Sequence, residues 1–217
     1  AAEDEGKELD YAINVTGTEN VAKASEKHGA TLVYISTDYV FAGTERAPRT
    51  EFDEPNPISA YGKTKLEGEH FVRQFAEKFF ILRTAWLYGD GKNFVKTMVR
   101  ASKTHDEVSV VCDQFGSPTS AKDLARIILY LIKTNEYGTY HATCQGVCNR
   151  YEFAQEVLKL AGKRITLRPV VTSESDLSSA RPAYAVLDNF ILRIINVYEM
   201  PDWRASLKEY MDERMED

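Results

Sequence analysis

Two short runs, TLVYIST (31–37) and FFILRTAWLY (79–88), are dense in β-branched and aromatic residues and are almost free of charge. Runs of that length without polar alternation suit strands buried on both faces, the kind found in parallel sheets. Each follows a stretch with helical spacing. Residues 8–28 place Leu9, Ile13, Gly17, Val21 and Ala24 near one face, and His28-Gly29 reads as a stop. A second helix is expected from about Ser59, with Leu66, His70, Phe71 and Phe75 on its apolar face. Helix–strand–loop–helix–strand is an α/β signature, and parallel strands need helical crossovers. Residues 79–88 are expected to form one strand. Further helices are expected at 93–102, 121–134, 150–161 and 203–211, and strands at 108–111 and 138–143. Residues 42–57 and 113–120 read as loops.

In sheets of this kind ligands bind beyond the carboxyl ends of the strands. The chemistry is therefore expected just after Thr37 and just after Trp86. The 217-residue chain carries 33 acidic and 27 basic side chains, a formal charge of −6. That balance argues against a nucleic-acid surface, which needs clustered Lys and Arg. No apolar stretch is long enough to span a bilayer. The three cysteines form no disulfide framework, which fits a reducing, cytoplasmic setting. Cys144, Cys148 and His141 are close in sequence, yet no second pair completes a four-ligand metal set.

Tyr61-Gly62-Lys63-Thr64-Lys65 holds the sharpest chemical candidate. Positions four apart share one helix face. A cation beside a phenol favours the phenolate, so Lys65 is expected to lower the pKa of Tyr61 and fit it for proton transfer to a carbonyl oxygen. Thr37, or Ser36, would steady that oxygen. Composition alone supplies roughly one Tyr-x-x-x-Lys in such a chain, and Tyr88/Lys92 is a second, broken by Gly89-Asp90-Gly91. The spacing by itself therefore favours a surface pair over a site.

The surrounding motifs decide more. STDYVFAGT followed by NPISAYGKTKLEGE resembles the extended short-chain dehydrogenase/reductase family, with Thr37 and Tyr61 twenty-four positions apart. RTAWLYGDGKNFVKTM, DQFGSPTSAKDLA, RPAYAVLDN and PDWRASLKEYM are similar to its dTDP-4-dehydrorhamnose reductase branch. The resemblance implies an incomplete Rossmann-type, doubly wound parallel sheet with a smaller, more irregular C-terminal substrate-binding part. Residues 1–85 and about 118–145 would belong to the first, and about 86–117 and 146–217 to the second. It implies Thr37, Tyr61 and Lys65 as the catalytic set, with Tyr61 and Lys65 also at the cofactor. Thr37, Asp38, Trp86 and Arg181 would contact the substrate, a dTDP-sugar, and Asn14 would lie near Lys65. NADPH or NADH would supply hydride, and magnesium is compatible with the family.

No Gly-x-x-Gly-x-x-Gly or Gly-x-Gly-x-x-Gly turn stands at a strand-to-helix junction. By the family's pattern roughly seventy residues carrying it would precede this sequence. The chain alone is then expected to bind nicotinamide dinucleotide poorly. The strand at 31–37 is expected to expose an apolar edge through which two copies could pair. A non-catalytic relative, such as a methionine adenosyltransferase regulatory subunit, and a sugar-nucleotide epimerase or dehydratase are the alternatives, the last because Asp38 directly follows Thr37.

Overall fold

A computed structural model describes residues 8–172, 181–196 and 198–214. The acidic opening, residues 1–7, lies outside them. A π-helical turn, Ala12–Gly17, runs into helix α1, Thr18–Lys27. Strand β1, Leu32–Thr37, ends in a 3-10 turn, Asp38–Val40. Helix α2, Ala60–Phe75, leads to strand β2, Phe79–Thr84. Strand β3 is Leu87–Tyr88, helix α3 Phe94–Ala101, and strand β4 Glu107–Val111. Strands β5, Phe115–Gly116, and β6, Thr119–Ser120, precede helix α4, Ala121–Leu131. Strands β7, Gly138–His141, and β8, Cys148–Asn149, lead into helix α5, Arg150–Leu160. Strand β9, Thr166–Val170, strand β10, Tyr184–Ala185, and helices α6, Phe190–Ile195, and α7, Trp203–Arg214, complete the order.

The expected α/β architecture is present. Strands β1, β2 and β7 form a parallel sheet in that order, with Thr37 in register with Thr84, Ser36 with Arg83, and Arg83 with His141. Parallel β4 and β9 form a separate ladder, β3 pairs with β6, and β5 lies between β8 and β10. One apolar cluster joins Phe80 and Leu82 of β2, Ile127 and Leu131 of α4, Phe153 and Val157 of α5, and Trp203 and Leu207 of α7. Each such buried side chain stabilises the fold by about 1.5–3 kcal/mol. The cluster thus welds β2 to the elements that come after it.

Helix α2 differs from the expected pattern. His70 is exposed and Phe71 stacks on Phe75 at a centroid separation of 5.9 Å, while the inward face carries Gly62, Gly68, Glu69 and Val72. The start of the helix is fixed by Ser59, whose hydroxyl accepts from the Gly62 N–H at 3.0 Å. A Cβ at position 62 would stand 2.2 Å from the Tyr39 carbonyl oxygen, so glycine there lets the helix press on the turn after β1.

Glu69 is fully buried and ties helix to sheet. Its carboxylate accepts from Arg83 Nε at 2.9 Å and Nη2 at 2.7 Å, from Ser36 Oγ at 2.5 Å, and from Arg73 Nη2 at 2.8 Å. Although burial opposes the charge, these donors hold its pKa below the ordinary value of 4.5.

One sequence expectation needs correction. The run 79–88 is not one strand: it breaks at Ala85-Trp86, where Trp86 takes φ 47°, and β3 turns away to pair with β6. The apolar face of the first helical segment is largely open, with Leu9 and Ile13 each 60% exposed and Val21 52% exposed, in keeping with the exposed β1 edge expected from the sequence. The reason is the free side of β1: among the described residues it pairs only with β2, and Ile13 and Val21 border a depression of about 480 Å³ beside Leu32 and Val33.

Removing the Glu69 carboxylate strands a buried guanidinium. Glu69→Ala is expected to cost about 3–5 kcal/mol in chemical denaturation. The stability gap between wild type and Glu69→Gln is expected to close as pH falls from 4.5 through the lowered Glu69 value, because the protonated acid then resembles the amide.

Candidate active site

The close packing of α2 on the turn after β1 brings four of the expected residues, Thr37, Asp38, Tyr61 and Trp86, to one cleft, while Lys65 and Arg181 lie outside its lining. Thr37, Asp38, Tyr39, Tyr61, Trp86 and Arg150 border a hollow of about 260 Å³ at the carboxyl ends of β1 and β2. The Thr37 hydroxyl donates to Asp38 Oδ1 at 2.9 Å and accepts the Tyr39 N–H at 3.2 Å. The Tyr61 phenol borders the same hollow as the Thr37 hydroxyl and meets the Tyr39 ring edge-on at 5.8 Å. Asp38 Oδ2 and Thr84 Oγ1 are buried in this cleft without a hydrogen-bond partner. Buried polar atoms are rarely left so unless a ligand or water completes them.

Lys65 stands one turn along α2 from Tyr61, half-buried, with its ammonium 4.0 Å from the centre of the Tyr34 ring. Burial pulls its pKa down to about 8. It makes no ion pair among the described residues. Asn14, in the π-helical turn, donates to Thr64 Oγ1 at 3.3 Å, one residue from Lys65. π-turns often mark functional positions.

The expected electrostatic effect of Lys65 on Tyr61 does not appear. The phenol is pushed above its ordinary value of 10, chiefly by loss of solvent, with the Thr37 side chain opposing and Asp38 and Tyr39 adding to the rise. Lys65 lies over the ring of Tyr34 instead. A raised value keeps the phenol protonated at neutral pH, which suits a proton donor.

Trp86 sits in the left-handed region of φ, a placement that costs a non-glycine residue of order 1–3 kcal/mol and is met mainly at functional positions. It is held from two sides. The Arg150 guanidinium stacks 3.6 Å from its ring centre. Gly116 lies so close that a Cβ there would be 2.5 Å from the indole. Arg181 is exposed and outside the cleft lining, but its charge is felt at both Tyr39 and Arg150.

The sequence reading missed Arg150. It is the first residue of α5, after the Asn149 cap, and burial lowers its pKa to about 10. A cation opposes the helix dipole there, and that misfit was the available signal.

His141 and the two nearby cysteines do not assemble a metal centre. His141 Nδ1 donates toward the Arg49 and Asp188 carbonyls at 2.9 and 3.1 Å, and burial and the Arg83 charge push its pKa down to about 3. Burial lifts the thiols of Cys144 and Cys148 to about 11 and about 12. The described residues bring together no three His, Cys, Asp or Glu side chains able to hold a metal, so the magnesium compatible with the resemblance has no ligand set among them. A larger hollow of about 500 Å³ shares no lining residue with the cleft, and its Asp188 and Arg193 are paired with each other. No described helix is long and apolar enough to cross a membrane.

The family model described as RmlD substrate binding domain matches residues 1–215. The chain belongs to this family. It is 40% identical over 211 residues to the spore coat polysaccharide biosynthesis protein SpsK of Bacillus subtilis, covering 96% of this chain and 74% of that protein. The crystal structure of a dTDP-4-dehydrorhamnose reductase from Clostridium acetobutylicum superposes with a TM-score of 0.95 at 51% identity, covering 97% of this chain and 75% of that one. The dTDP-4-dehydrorhamnose reductase of Bacillus anthracis, solved in complex with NADP, gives 0.93 at 45% identity, covering 96% and 75%.

Gly116→Ala is expected to drive Trp86 from its position. Overpacking of this kind costs about 1–3 kcal/mol. Thermal unfolding should register that loss, and the emission of Trp86, read against Trp203 alone in a Trp86→Phe reference, should shift.

Proposed function

We propose that this chain serves the reduction of the C4 keto group of dTDP-4-dehydro-L-rhamnose to the alcohol of dTDP-L-rhamnose, as a dTDP-4-dehydrorhamnose reductase. The observation that carries the reading is the gathering of Tyr61 and Thr37 beside buried Asp38 in one cleft with unsatisfied polar atoms. Tyr61 donates its phenolic proton to the C4 oxygen, and Thr37 hydrogen-bonds the same oxygen. Asp38 and Trp86 contact the sugar ring, Trp86 as a flat wall braced by Arg150. Arg181, fork-shaped and exposed, suits the diphosphate. We assign 1–85 and about 118–145 to the nucleotide-facing part and about 86–117 and 146–217 to the substrate-facing part.

Side chains have no hydride to give, so a nicotinamide dinucleotide supplies it when bound. The residues present fit such a group. Lys65 is a half-buried ammonium with no anionic partner among the described residues, suited to donating to ribose hydroxyls. The relative crystallised with NADP supports NADPH as the reductant. Lys65 acts by binding, and its effect on Tyr61 is secondary to the solvent loss described above.

The test is oxidation of NADPH by the intact protein with dTDP-4-dehydro-L-rhamnose, followed by absorbance. Tyr61→Phe is expected to fold normally and lose about 10²–10⁴-fold in kcat, the range for a positioned acid. Lys65→Met is expected to weaken NADPH binding with little effect on sugar-nucleotide affinity. Sugar-nucleotide binding without turnover by wild type would return the chain to the class of non-catalytic relatives.

A further inference from the structure

The proton on Thr37 cannot serve two acceptors. A hydroxyl carries one proton and two lone pairs. In the structure that proton goes to Asp38 Oδ1 at 2.9 Å, while Oγ1 accepts the Tyr39 N–H at 3.2 Å and shares its cleft with the Tyr61 phenol. With Asp38 ionised, Thr37 therefore has nothing to donate to a ligand. Its remaining lone pair also draws the Tyr61 proton away from the ligand.

We infer that Asp38 is a positioning acid, which in its neutral form donates to Thr37 Oγ1 and turns the Thr37 and Tyr61 protons together onto the ligand's carbonyl oxygen. The reasoning is one of valence. Once Asp38 donates, the two lone pairs of Oγ1 are filled by the Asp38 O–H and the Tyr39 N–H. The Thr37 proton then has no partner inside the protein, and the Tyr61 phenol has lost its acceptor. Both protons face the cleft, where one carbonyl oxygen can take both in its two lone-pair directions. This inference rests on the reductase reading, which names the oxygen, but concerns a different group from those that touch the reacting atoms.

The surroundings of Asp38 favour the neutral form. The residue is 3% exposed, and its Oδ2 is buried without a partner. The groups facing it are Thr37 and Tyr39 from its own turn, Tyr61 from α2 and Arg150 from α5. Of these only Arg150 carries a charge that favours ionisation, and it forms no ion pair with Asp38, being stacked on Trp86 instead. Burial outweighs it, so the acid is pushed up to about 7.

The expected signature is a limb in the pH profile of reduction. As pH rises through about 7, Asp38 ionises and recaptures the Thr37 proton, so kcat/KM in the intact protein should fall about tenfold per pH unit. Asp38→Asn places a permanent N–H donor beside Thr37. In the activity it retains, the limb near 7 should vanish, leaving only the later one from Lys65 at about 8. Arg150→Gln removes the charge favouring ionisation and should move the limb to higher pH. The wild-type protein labelled with carbon-13 at its aspartate carboxyls should show one carboxyl titrating near 7, without any need for turnover. An Asp38→Asn variant that keeps the limb near 7 would overturn the inference. So would an Arg150→Gln limb that stays or moves down, or aspartate carboxyls that all titrate below 5. Absence of turnover with the 4-keto sugar nucleotide would instead remove the reductase reading, while the carbon-13 titration still decides the state of Asp38.

Discussion

The carboxylate of Glu69 is the point on which the cleft depends. It lies wholly inside the protein and gathers three donors from two strands and its own helix: Ser36 on β1, Arg83 on β2 and Arg73 one turn along α2. Two buried charges gain little net stability from pairing, since desolvation offsets much of their attraction. What the arrangement provides is position. Helix α2 cannot slide or rotate on the sheet without leaving a guanidinium or a carboxylate unpaired. Tyr61 and Lys65 ride on that helix, and Thr37 is the neighbour of Ser36 on β1. The salt bridge therefore sets the separation between phenol and hydroxyl from two turns away.

The second constraint is steric. Gly62 lets the helix start touch the Tyr39 carbonyl, and Gly116 lets the indole of Trp86 lie flat against β5. One glycine closes the Tyr61 side of the cleft and the other closes the Trp86 side. Strain at Trp86 is balanced by the stacking of Arg150 and by the packing around it. Cation–aromatic stacking in a desolvated place contributes about 2 kcal/mol, comparable with the strain of a left-handed tryptophan. A rigid wall and a rigid helix are what a site needs when it must orient a flat carbonyl between two hydroxyls.

Much of this was legible in the sequence. The strands at 32–37 and 79–84 showed as apolar runs, and the linked motifs around Thr37, Tyr61 and Lys65 named the right corner of the fold. Three features were hidden. Glu69 carried no mark in the sequence, because helical spacing cannot reveal that a buried arginine waits across on β2. The break at Trp86 was masked because FFILRTAWLY is apolar throughout, and no glycine or proline marks the turn. The expected lowering of the Tyr61 pKa failed because four-residue spacing puts two side chains on one face but does not aim them. Lys65 settles on the ring of Tyr34, and solvent loss governs the phenol. The open face at Ile13 and Val21 was legible too: the sequence placed them on one apolar face beside an exposed β1 edge, and β1 has no described neighbour on that side.

The central claim is that this cleft presents a carbonyl carbon at the sugar's C4 to hydride while Thr37 and Tyr61 hold its oxygen. The most direct measurement is to supply the intact protein with NADPH deuterated at the transferable position of its nicotinamide and with dTDP-4-dehydro-L-rhamnose, and to locate the deuterium in the sugar by NMR. Deuterium bonded to C4 of the product is the predicted result. Deuterium at another carbon, or its loss from the cofactor with no label in the sugar, would contradict the account.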